Sequence, residues 1–244
     1  MRSNKTKKLA QFSIDQVLAV LLLPVIIPLL ALLYIMVVPL QGRPFLFSAE
    51  RMRGPTEGFI QFKIRTMQPV DRLSEQSVMG GDLAHRVTPI GAFLRKTRID
   101  ELPQIFNVIR GEMVFIGPRP PLRKYVETNP DYAQALARGL PGITGLATVL
   151  LHTREERLLS ACKNAAETDR VYREKCIPLK IRLDELYSQR KSLRLKAFIL
   201  WRTVSRLAVG QASLGFFKTM LRSQQSQKAA ERTFDQLSRS ARLK

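Results

Sequence analysis

Residues 17–40 read VLAVLLLPVIIPLLALLYIMVVPL and contain no charged side chain. A helix that spans a bilayer needs about 20 apolar residues, so this segment is long enough to enter or cross a membrane. It is too long for the apolar part of a signal peptide, and no cleavage motif of small residues follows it. The segment predicts a membrane helix, and the chain after it must form the soluble body.

The same segment carries Pro24 and Pro28 in its first half. Each proline removes a helix hydrogen bond and favours a bend. Basic residues flank both ends of the segment, which gives no inside–outside asymmetry, so we expect both ends on the cytoplasmic side. We therefore predict a re-entrant helix with its kink at Pro24, and a simple span is the alternative.

The composition limits the partners of the protein. The formal net charge of +20 indicates an anionic partner, which leaves nucleic acid, anionic lipid or a phosphorylated substrate. The chain has no interleaved aromatic and basic motif, so nucleic acid is not expected. Cys162 and Cys176 lack the spacing of a metal site, which is typical of a reduced cytosolic compartment.

The body reads as an α+β fold that is mainly helical, with a small β element. The stretch 42–67 predicts two strands joined by a Gly-Pro turn at 54–58, with Lys63 and Arg65 on one face of the second strand. These two bases either form a wall facing an anionic ligand or are simply solvated. Residues 113–117 predict a short strand, and 139–149 a glycine-rich loop.

The C-terminal third is helical and basic. Apolar residues recur at helical spacing in 192–209, with Trp201 among them and arginines on the other side. The pattern fits a helix lying in the headgroup plane, and core packing is the alternative. We expect a membrane segment at 1–40, a body with interfacial helices at 41–221, and a disordered basic tail at 222–244.

The adjacent acids Asp100 and Glu101 are surrounded by bases and followed by Pro103. In one interpretation, Asp100 only caps the helix that follows and Glu101 complements its dipole. In the other, one carboxylate attacks phosphorus while its neighbour helps to hold a divalent cation, and arginines at 95 and 119 bind phosphate oxygens.

Three blocks of the sequence carry a resemblance: FKIRTM at 62–67, RVTPIGAFLRKTRIDELPQIFNVIRGEMVFIGPRP at 86–120 and PGITGLATV at 141–149. With them, the chain resembles the bacterial sugar transferases of the monotopic polyprenyl-phosphate phosphoglycosyl transferase family. The resemblance covers about residues 8–207. It implies a compact cytosolic body on a re-entrant helix at the inner membrane.

The resemblance also implies an activity, namely transfer of a sugar-1-phosphate from a UDP-sugar to polyprenyl phosphate, with release of UMP. It implies that Asp100 is the nucleophile and forms a covalent phosphosugar intermediate. Glu101 would lie near Mg²⁺, with both acids as its candidate ligands. Arg95 and Arg119 would bind phosphate, and Lys63 and Arg65 match the basic strand of the family.

A basic, non-catalytic membrane scaffold or lipid-binding protein is the alternative function. It explains the charge but not the acid pair beside a proline. The residues do not select the sugar, the polymer or the oligomeric state, for which a homodimer is one option. The expected partners are thus a UDP-sugar, polyprenyl phosphate and membrane lipids.

Overall fold

The computed structural model describes residues 13–69, 86–190 and 192–208, with side chains up to 205 in the last range. All of these residues except Ala208 belong to one compact unit, which ends at residue 207. Most of the sequence from 68 to 88, including His85 and Gly80-Gly81, lies outside the described residues. So do the apolar residues at 213–221 and the tail at 222–244.

Helix α1 (Ile14–Gln41) is one continuous helix of 28 residues that passes through Pro24, Pro28 and Pro39. It begins with a capping box between Ser13 and Gln16 and ends at Gly42, whose φ of 72° stops the helix. At 1.5 Å per residue it is about 42 Å long. Among the described residues it is the one helix long and apolar enough to cross a membrane.

One stripe of α1 packs against the body in two apolar clusters. Ala19, with Leu23 and Ile26 beside it, joins the cluster of the N-terminal half, and Leu33 and Val37 join that of the C-terminal half. The partners from the body are Phe59, Ile105, Val108 and Met113 in the first cluster, and Ile64 and Leu94 in the second. Most other apolar side chains of α1 are exposed. The helix therefore has one face on the protein and a wide apolar face free.

Polar contacts attach both ends of α1 to the same body. Near the N-terminus, Asp15 Oδ1 accepts a hydrogen bond from the Phe115 N–H at 3.0 Å, and Gln16 Nε2 donates to the Ile109 carbonyl at 3.0 Å. At the C-terminus, Gln41 Nε2 donates to the Arg65 carbonyl at 2.6 Å. The two ends of this long helix are thus both held on one surface.

The predicted hairpin is confirmed. Strands β1 (Leu46–Met52) and β2 (Gly58–Ile64) are antiparallel, with Met52 opposite Gly58 beside the turn and Leu46 opposite Ile64 at the far end. The face of β2 that carries Phe59, Gln61 and Lys63 lies toward the segment containing the acid pair. The hairpin therefore forms one wall of the candidate site.

The acid pair lies in a chain of short elements. Helix α2 (Pro89–Lys96) is followed by a 3₁₀ helix (Ile99–Gln104), helix α3 (Ile105–Ile109) and strand β3 (Val114–Ile116). Gly111, with a φ of 70°, follows α3 and ends it. Helices α4 (Arg123–Glu127) and α5 (Pro130–Leu136) follow.

The prediction of a loop at 139–149 was wrong. Residues Gly142–Thr144 form strand β4, parallel to β3, and helix α6 (Leu146–Ser160) begins two residues later. Glycine suits this site because the backbones nearly touch. A Cβ on Gly142 would lie 2.0 Å from the Gly117 nitrogen, and one on Gly145 would lie 2.1 Å from the Gly117 oxygen. The glycines allow close packing and do not mark flexibility.

The C-terminal helices cover the other side of the body. They are α7 (Ala165–Val171), a π-helical turn (Tyr172–Cys176), α8 (Ile177–Gln189) and α9 (Leu193–Ala208). A core of buried side chains joins α4 to α8: Tyr125, Tyr132, Leu159, Tyr172, Cys176 and Ile177. Both cysteines are free thiols. A mostly helical fold with a small β content and one apolar N-terminal helix is confirmed, and the re-entrant topology stays a prediction.

Helix α9 docks by a face that the apolar pattern did not select. Ile199 is fully buried, and the Thr203 hydroxyl lies 2.9 Å from that of Thr144 on β4. The predicted apolar stripe points outward, with Trp201 61% and Val204 61% exposed. Core packing of this stripe is therefore wrong for the described residues, and an outward apolar surface remains.

Candidate active site

The backbone around Arg98 determines where the acids lie. Thr88 is the N-cap of helix α2, and its hydroxyl accepts from the Gly91 N–H at 2.9 Å. Two residues after α2 ends, Arg98 adopts a left-handed conformation with a φ of 58° and becomes the N-cap of the 3₁₀ helix. This turns the chain, so that Asp100 and Glu101 fall in the first turn of that helix.

The prediction that Asp100 caps a helix was therefore wrong. Arg98 occupies the cap position, and no side chain of the described residues caps the 3₁₀ helix. Asp100 is the second residue inside the helix and is 7% exposed. Its carboxylate accepts no hydrogen bond from a described backbone N–H group, so helix capping does not explain this residue.

Glu101 is the anchor of a cluster of three cations. Its Oε1 lies 3.1 Å from Lys63 Nζ and 2.9 Å from Arg119 Nη2, and its Oε2 lies 3.1 Å from Arg98 Nη2. Burial alone would raise the pKa of Glu101, but Arg119, Lys63 and Arg98 together hold it well below its ordinary value. Glu101 is thus a firmly ionised carboxylate with most of its acceptor capacity in use.

Asp100 is as buried as its neighbour but differs from it in its contacts. Across residues 13–69, 86–190 and 192–208 it forms no ion pair and accepts no hydrogen bond. Burial raises the pKa of Asp100, and the nearby Lys63 opposes that rise. A carboxylate without hydrogen bonds in a largely water-free site is more basic and more nucleophilic than one in water. The pair therefore contains one anchored carboxylate and one available carboxylate.

The three cations come from three separate parts of the chain. Lys63 belongs to β2, Arg98 precedes the 3₁₀ helix, and Arg119 lies in the Pro-Arg-Pro turn after β3. Glu101 raises the pKa of Arg119, whereas burial lowers that of Lys63 to about 8 although Glu101 opposes it. Each cation has donors beyond its contact with Glu101, so the group can accept a phosphate anion.

Arg98 was not selected from the sequence, although a signal existed. Its position three residues before Glu101 is the spacing at which helical side chains of opposite charge meet. The 3.1 Å pair between them is the result. Nothing in the sequence shows the left-handed backbone of Arg98.

Two other predicted phosphate ligands take different places. Arg95 Nε donates to the Thr66 hydroxyl at 2.8 Å. Burial lowers the pKa of Arg95 and the charge of the nearby Asp100 opposes this, so the guanidinium lies near the acid pair. Arg65 instead donates to the carbonyls of Pro44, Gln41, Gly42 and Met67. Arg65 caps the C-terminal end of α1, and the structure does not bring it to the acids.

Two remaining predictions have no direct geometric test. Pro24 lies on α1 with its side chain exposed, and the membrane kink stays a prediction. For a metal, the described residues contain no group of three or more Asp, Glu, His or Cys side chains. Asp100 and Glu101 thus form a pair of carboxylates and not a group of three.

The fold and the site together define a membrane-associated α+β protein with a buried carboxylate pair surrounded by cations. Comparison with known proteins identifies the group to which it belongs. A family model described as bacterial sugar transferase matches residues 6–210, which is most of the chain. The protein belongs to the bacterial sugar transferase family.

Individual relatives carry related names. The chain is 32% identical over 200 residues to a UDP-N-acetylgalactosamine-undecaprenyl-phosphate N-acetylgalactosaminephosphotransferase from Aeromonas hydrophila, covering 80% of this chain and 43% of the relative. It is 29% identical over 167 residues to an undecaprenyl-phosphate galactose phosphotransferase from Salmonella typhimurium, covering 60% of this chain and 34% of the relative.

A third relative is the exopolysaccharide production protein ExoY of Sinorhizobium fredii, with 33% identity over 148 residues, 55% of this chain and 66% of the relative. The chain thus spans between about one third and two thirds of the length of these curated relatives. The names of two of them share undecaprenyl phosphate but differ in the sugar.

Proposed function

We propose that the protein transfers a sugar-1-phosphate from a UDP-sugar to undecaprenyl or a similar polyprenyl phosphate, with a covalent phosphosugar on Asp100 as intermediate. The products are UMP and a polyprenyl-diphosphate-sugar, the first membrane-bound unit of a polysaccharide or glycoconjugate. Membership of the family and the names of the relatives support the reaction class. A single observation from the site supports the covalent route.

That observation is the asymmetry of the acid pair. Glu101 contacts three cations, whereas Asp100 has no ion pair or hydrogen bond among the described residues. In the first step, an Asp100 oxygen attacks the phosphorus that carries the sugar, and the bond from that phosphorus to the bridging oxygen breaks, so UMP leaves. In the second step, a phosphate oxygen of the lipid attacks the same phosphorus, and the bond to Asp100 breaks.

The cations around Glu101 suit a diphosphate substrate. Arg119 uses Nη2 on Glu101, which leaves its other N–H groups for phosphate oxygens. Lys63 and Arg98 add positive charge from the other sides of Glu101. Because these groups are held in place before substrate binds, they stabilise negative charge in the transition state at little reorganisation cost.

The donor set also fits Mg²⁺, which commonly binds one or two carboxylates together with substrate phosphates. Asp100 offers both oxygens. A carboxylate has about four lone-pair positions, and Glu101 uses three of them on its cations. The two acids would therefore hold the ion only together with the diphosphate. When bound, Mg²⁺ supplies neutralisation of diphosphate charge.

The contacts of α1 support a location on one face of the membrane. A helix that crossed the bilayer would have its ends on opposite sides, about 30 Å of hydrocarbon apart. Here Gln16 near one end and Gln41 at the other both bond to the same body. We place this body at the cytoplasmic face of the inner membrane, where nucleotide sugars are available, with the apolar faces of α1 and α9 toward lipid.

The test is a two-stage assay on the full chain in detergent. Wild-type protein mixed with a panel of UDP-sugars, without lipid acceptor, should release about one UMP per protein, and intact mass spectrometry should find the added phosphosugar. Undecaprenyl phosphate should then discharge that mass as lipid-linked product. Asp100→Asn, which keeps the size of the side chain, should do neither.

Two results would contradict the proposal in different ways. If UMP appears only when both substrates are present and no adduct forms, transfer is direct and Asp100 has another role. If no UDP-sugar in the panel yields UMP under any condition, the scaffold alternative gains support.

A further inference from the structure

A polar seam docks the helical segment of the acid pair onto strand β2. Glu101, Gln104 and Asn107 are spaced by three residues, so they share one face of the 3₁₀ helix and its continuation α3. They meet β2 in order: Glu101 contacts Lys63, Gln104 accepts from Gln61 Nε2 at 3.2 Å, and Asn107 contacts the backbone. The seam thus fixes the register of this segment against the strand.

Asn107 completes the seam, because its side-chain amide bonds to the backbone of β2 as a neighbouring strand would. Its Oδ1 accepts from the Phe62 N–H at 3.1 Å, and its Nδ2 donates to the Ile60 carbonyl at 2.7 Å and to Glu112 Oε2 at 2.7 Å. The side chain is fully buried. Asn107 therefore attaches the end of the segment, and Lys63 attaches its beginning through Glu101.

Gln104, in the middle of the seam, is not explained by stability. It is fully buried, and within the described ranges its Nε2 has no hydrogen-bond partner. A buried donor left unsatisfied is destabilising, and apolar side chains of similar length in place of both Gln104 and Gln61 would avoid that cost. A polar residue here needs a reason other than packing.

The position of Asp100 supplies that reason. Its own carboxylate makes no hydrogen bond or ion pair with any described residue, so only the backbone of the 3₁₀ helix sets where it points. Successive residues of a 3₁₀ helix differ by about 120° around the axis, so a small rotation moves Asp100 sideways. A displacement of about 1 Å at a reacting group can lower a rate on the order of a hundredfold.

We propose that Gln104, through its bond to Gln61, is a positioning residue that fixes the rotation of the 3₁₀ helix and so the line of attack of Asp100. The inference rests on the proposed function, since it concerns the same nucleophile. Gln104 itself is fully buried. Its loss should therefore slow chemistry without weakening binding of the sugar nucleotide.

The test compares Gln104→Met with wild type in detergent. Methionine keeps the length of the side chain and removes the unsatisfied Nε2 of Gln104, but it also leaves the buried Gln61 Nε2 without its acceptor. These two effects oppose each other, so the unfolding midpoint should stay close to that of wild type. The rate of UMP release in the absence of lipid acceptor should fall at least tenfold, while the KM for the UDP-sugar stays within about twofold. Gln134→Met, the same substitution at an exposed position of α5, serves as the control and should match wild type.

A double-mutant cycle tests whether the effect passes through Gln61. Gln61→Met should reproduce the slow release, and the double variant should be no slower than either single variant, since both remove one interaction. Additive losses would overturn the proposed route through the amide pair.

Three other outcomes are decisive. Normal UMP release by Gln104→Met would overturn this inference and leave the covalent route intact. A fall in the unfolding midpoint together with the rate would show a structural role and would also overturn it. Absence of the UMP burst in wild type itself would refute the covalent route, and this inference with it.

Discussion

Replacement of Glu101 by glutamine tests whether Glu101 contributes more to folding stability than Asp100 does. Glutamine keeps the shape of the side chain but removes the charge that holds Lys63, Arg98 and Arg119 together. Glu101 is 6% exposed, and these three cations are 17%, 22% and 27% exposed, so solvent screens the pairs only weakly. Removing one member of a buried ion pair costs about 3–5 kcal/mol, because the other charges stay buried without compensation.

We therefore expect Glu101→Gln to lower the free energy of unfolding by about 3–5 kcal/mol near neutral pH. The matched control is Asp100→Asn, an adjacent substitution that also removes one buried carboxylate. Asp100 has no ion pair in the described part of the chain, and burial raises its pKa, so its ionised form costs stability. The control should be as stable as wild type or more so. Chemical denaturation in micelles, followed by circular dichroism, measures both.

The pH dependence adds a second criterion. The folded-state pKa of Glu101 lies below its ordinary value of 4.5, so its stabilisation is complete above 4.5 and is lost as the pH falls through the folded pKa. The difference between wild type and Glu101→Gln should shrink in that acidic range, and it should shrink in part again above pH 8, where Lys63, whose pKa is about 8, loses its charge. Two results would refute the assignment of Glu101 as the anchor. One is a loss of unfolding free energy below about 1 kcal/mol, the size expected of an exposed pair, and the other is an equal loss in both variants.

Asp184 on α8 is buried and its pKa is raised to about 7, because desolvation outweighs the attraction of Lys180. Its ionisation therefore costs stability as the pH rises from 3.8 to about 7. Asp184→Asn should stabilise the protein by up to about 4 kcal/mol above that range and should have no effect on stability below it. A difference in stability that does not change with pH would contradict this. Arg119→Lys keeps the charge but loses the planar fork, and steady-state kinetics should show a fall in turnover on the order of tenfold; normal turnover would place Arg119 outside the site. Cysteines introduced as Lys5→Cys and Glu50→Cys should both be protected from a membrane-impermeant thiol reagent in intact cells, and labelling at position 5 alone would establish a simple span.

The features that the sequence predicted well are those encoded in local patterns. The apolar segment at 17–40 and the hairpin around Gly54 each follow from composition and spacing within one stretch of chain. The acid pair was selected for its surroundings of bases, and the structure brings Lys63 and Arg119 to Glu101. These contacts join residues that are 38 and 18 positions apart in the sequence. The resemblance to the family suggested that they lie close together, whereas local periodicity could not show it.

The features that were missed depend on contacts distant in sequence or on backbone conformation. The left-handed backbone of Arg98 makes Arg98 the N-cap in place of Asp100. No residue type at this position predicts that conformation. Strand β4 was read as a loop, because Gly142 disfavours a strand until the backbone at Gly117 comes close. The inward stripe of α1 was not distinguishable, since the side chains that face the body are as apolar as those that face away.

The packing of α1 has a practical consequence for preparing the protein. Ile64, Leu94, Ile105 and Val108 are nearly inaccessible because α1 lies on them. A shortened chain beginning after Gln41 would open both clusters to water and leave the guanidinium of Arg65 without the Gln41 carbonyl, one of its acceptors. Deleting the apolar helix to obtain a water-soluble catalytic fragment would thus remove part of the protein interior. Detergent or lipid belongs in every preparation of the intact fold.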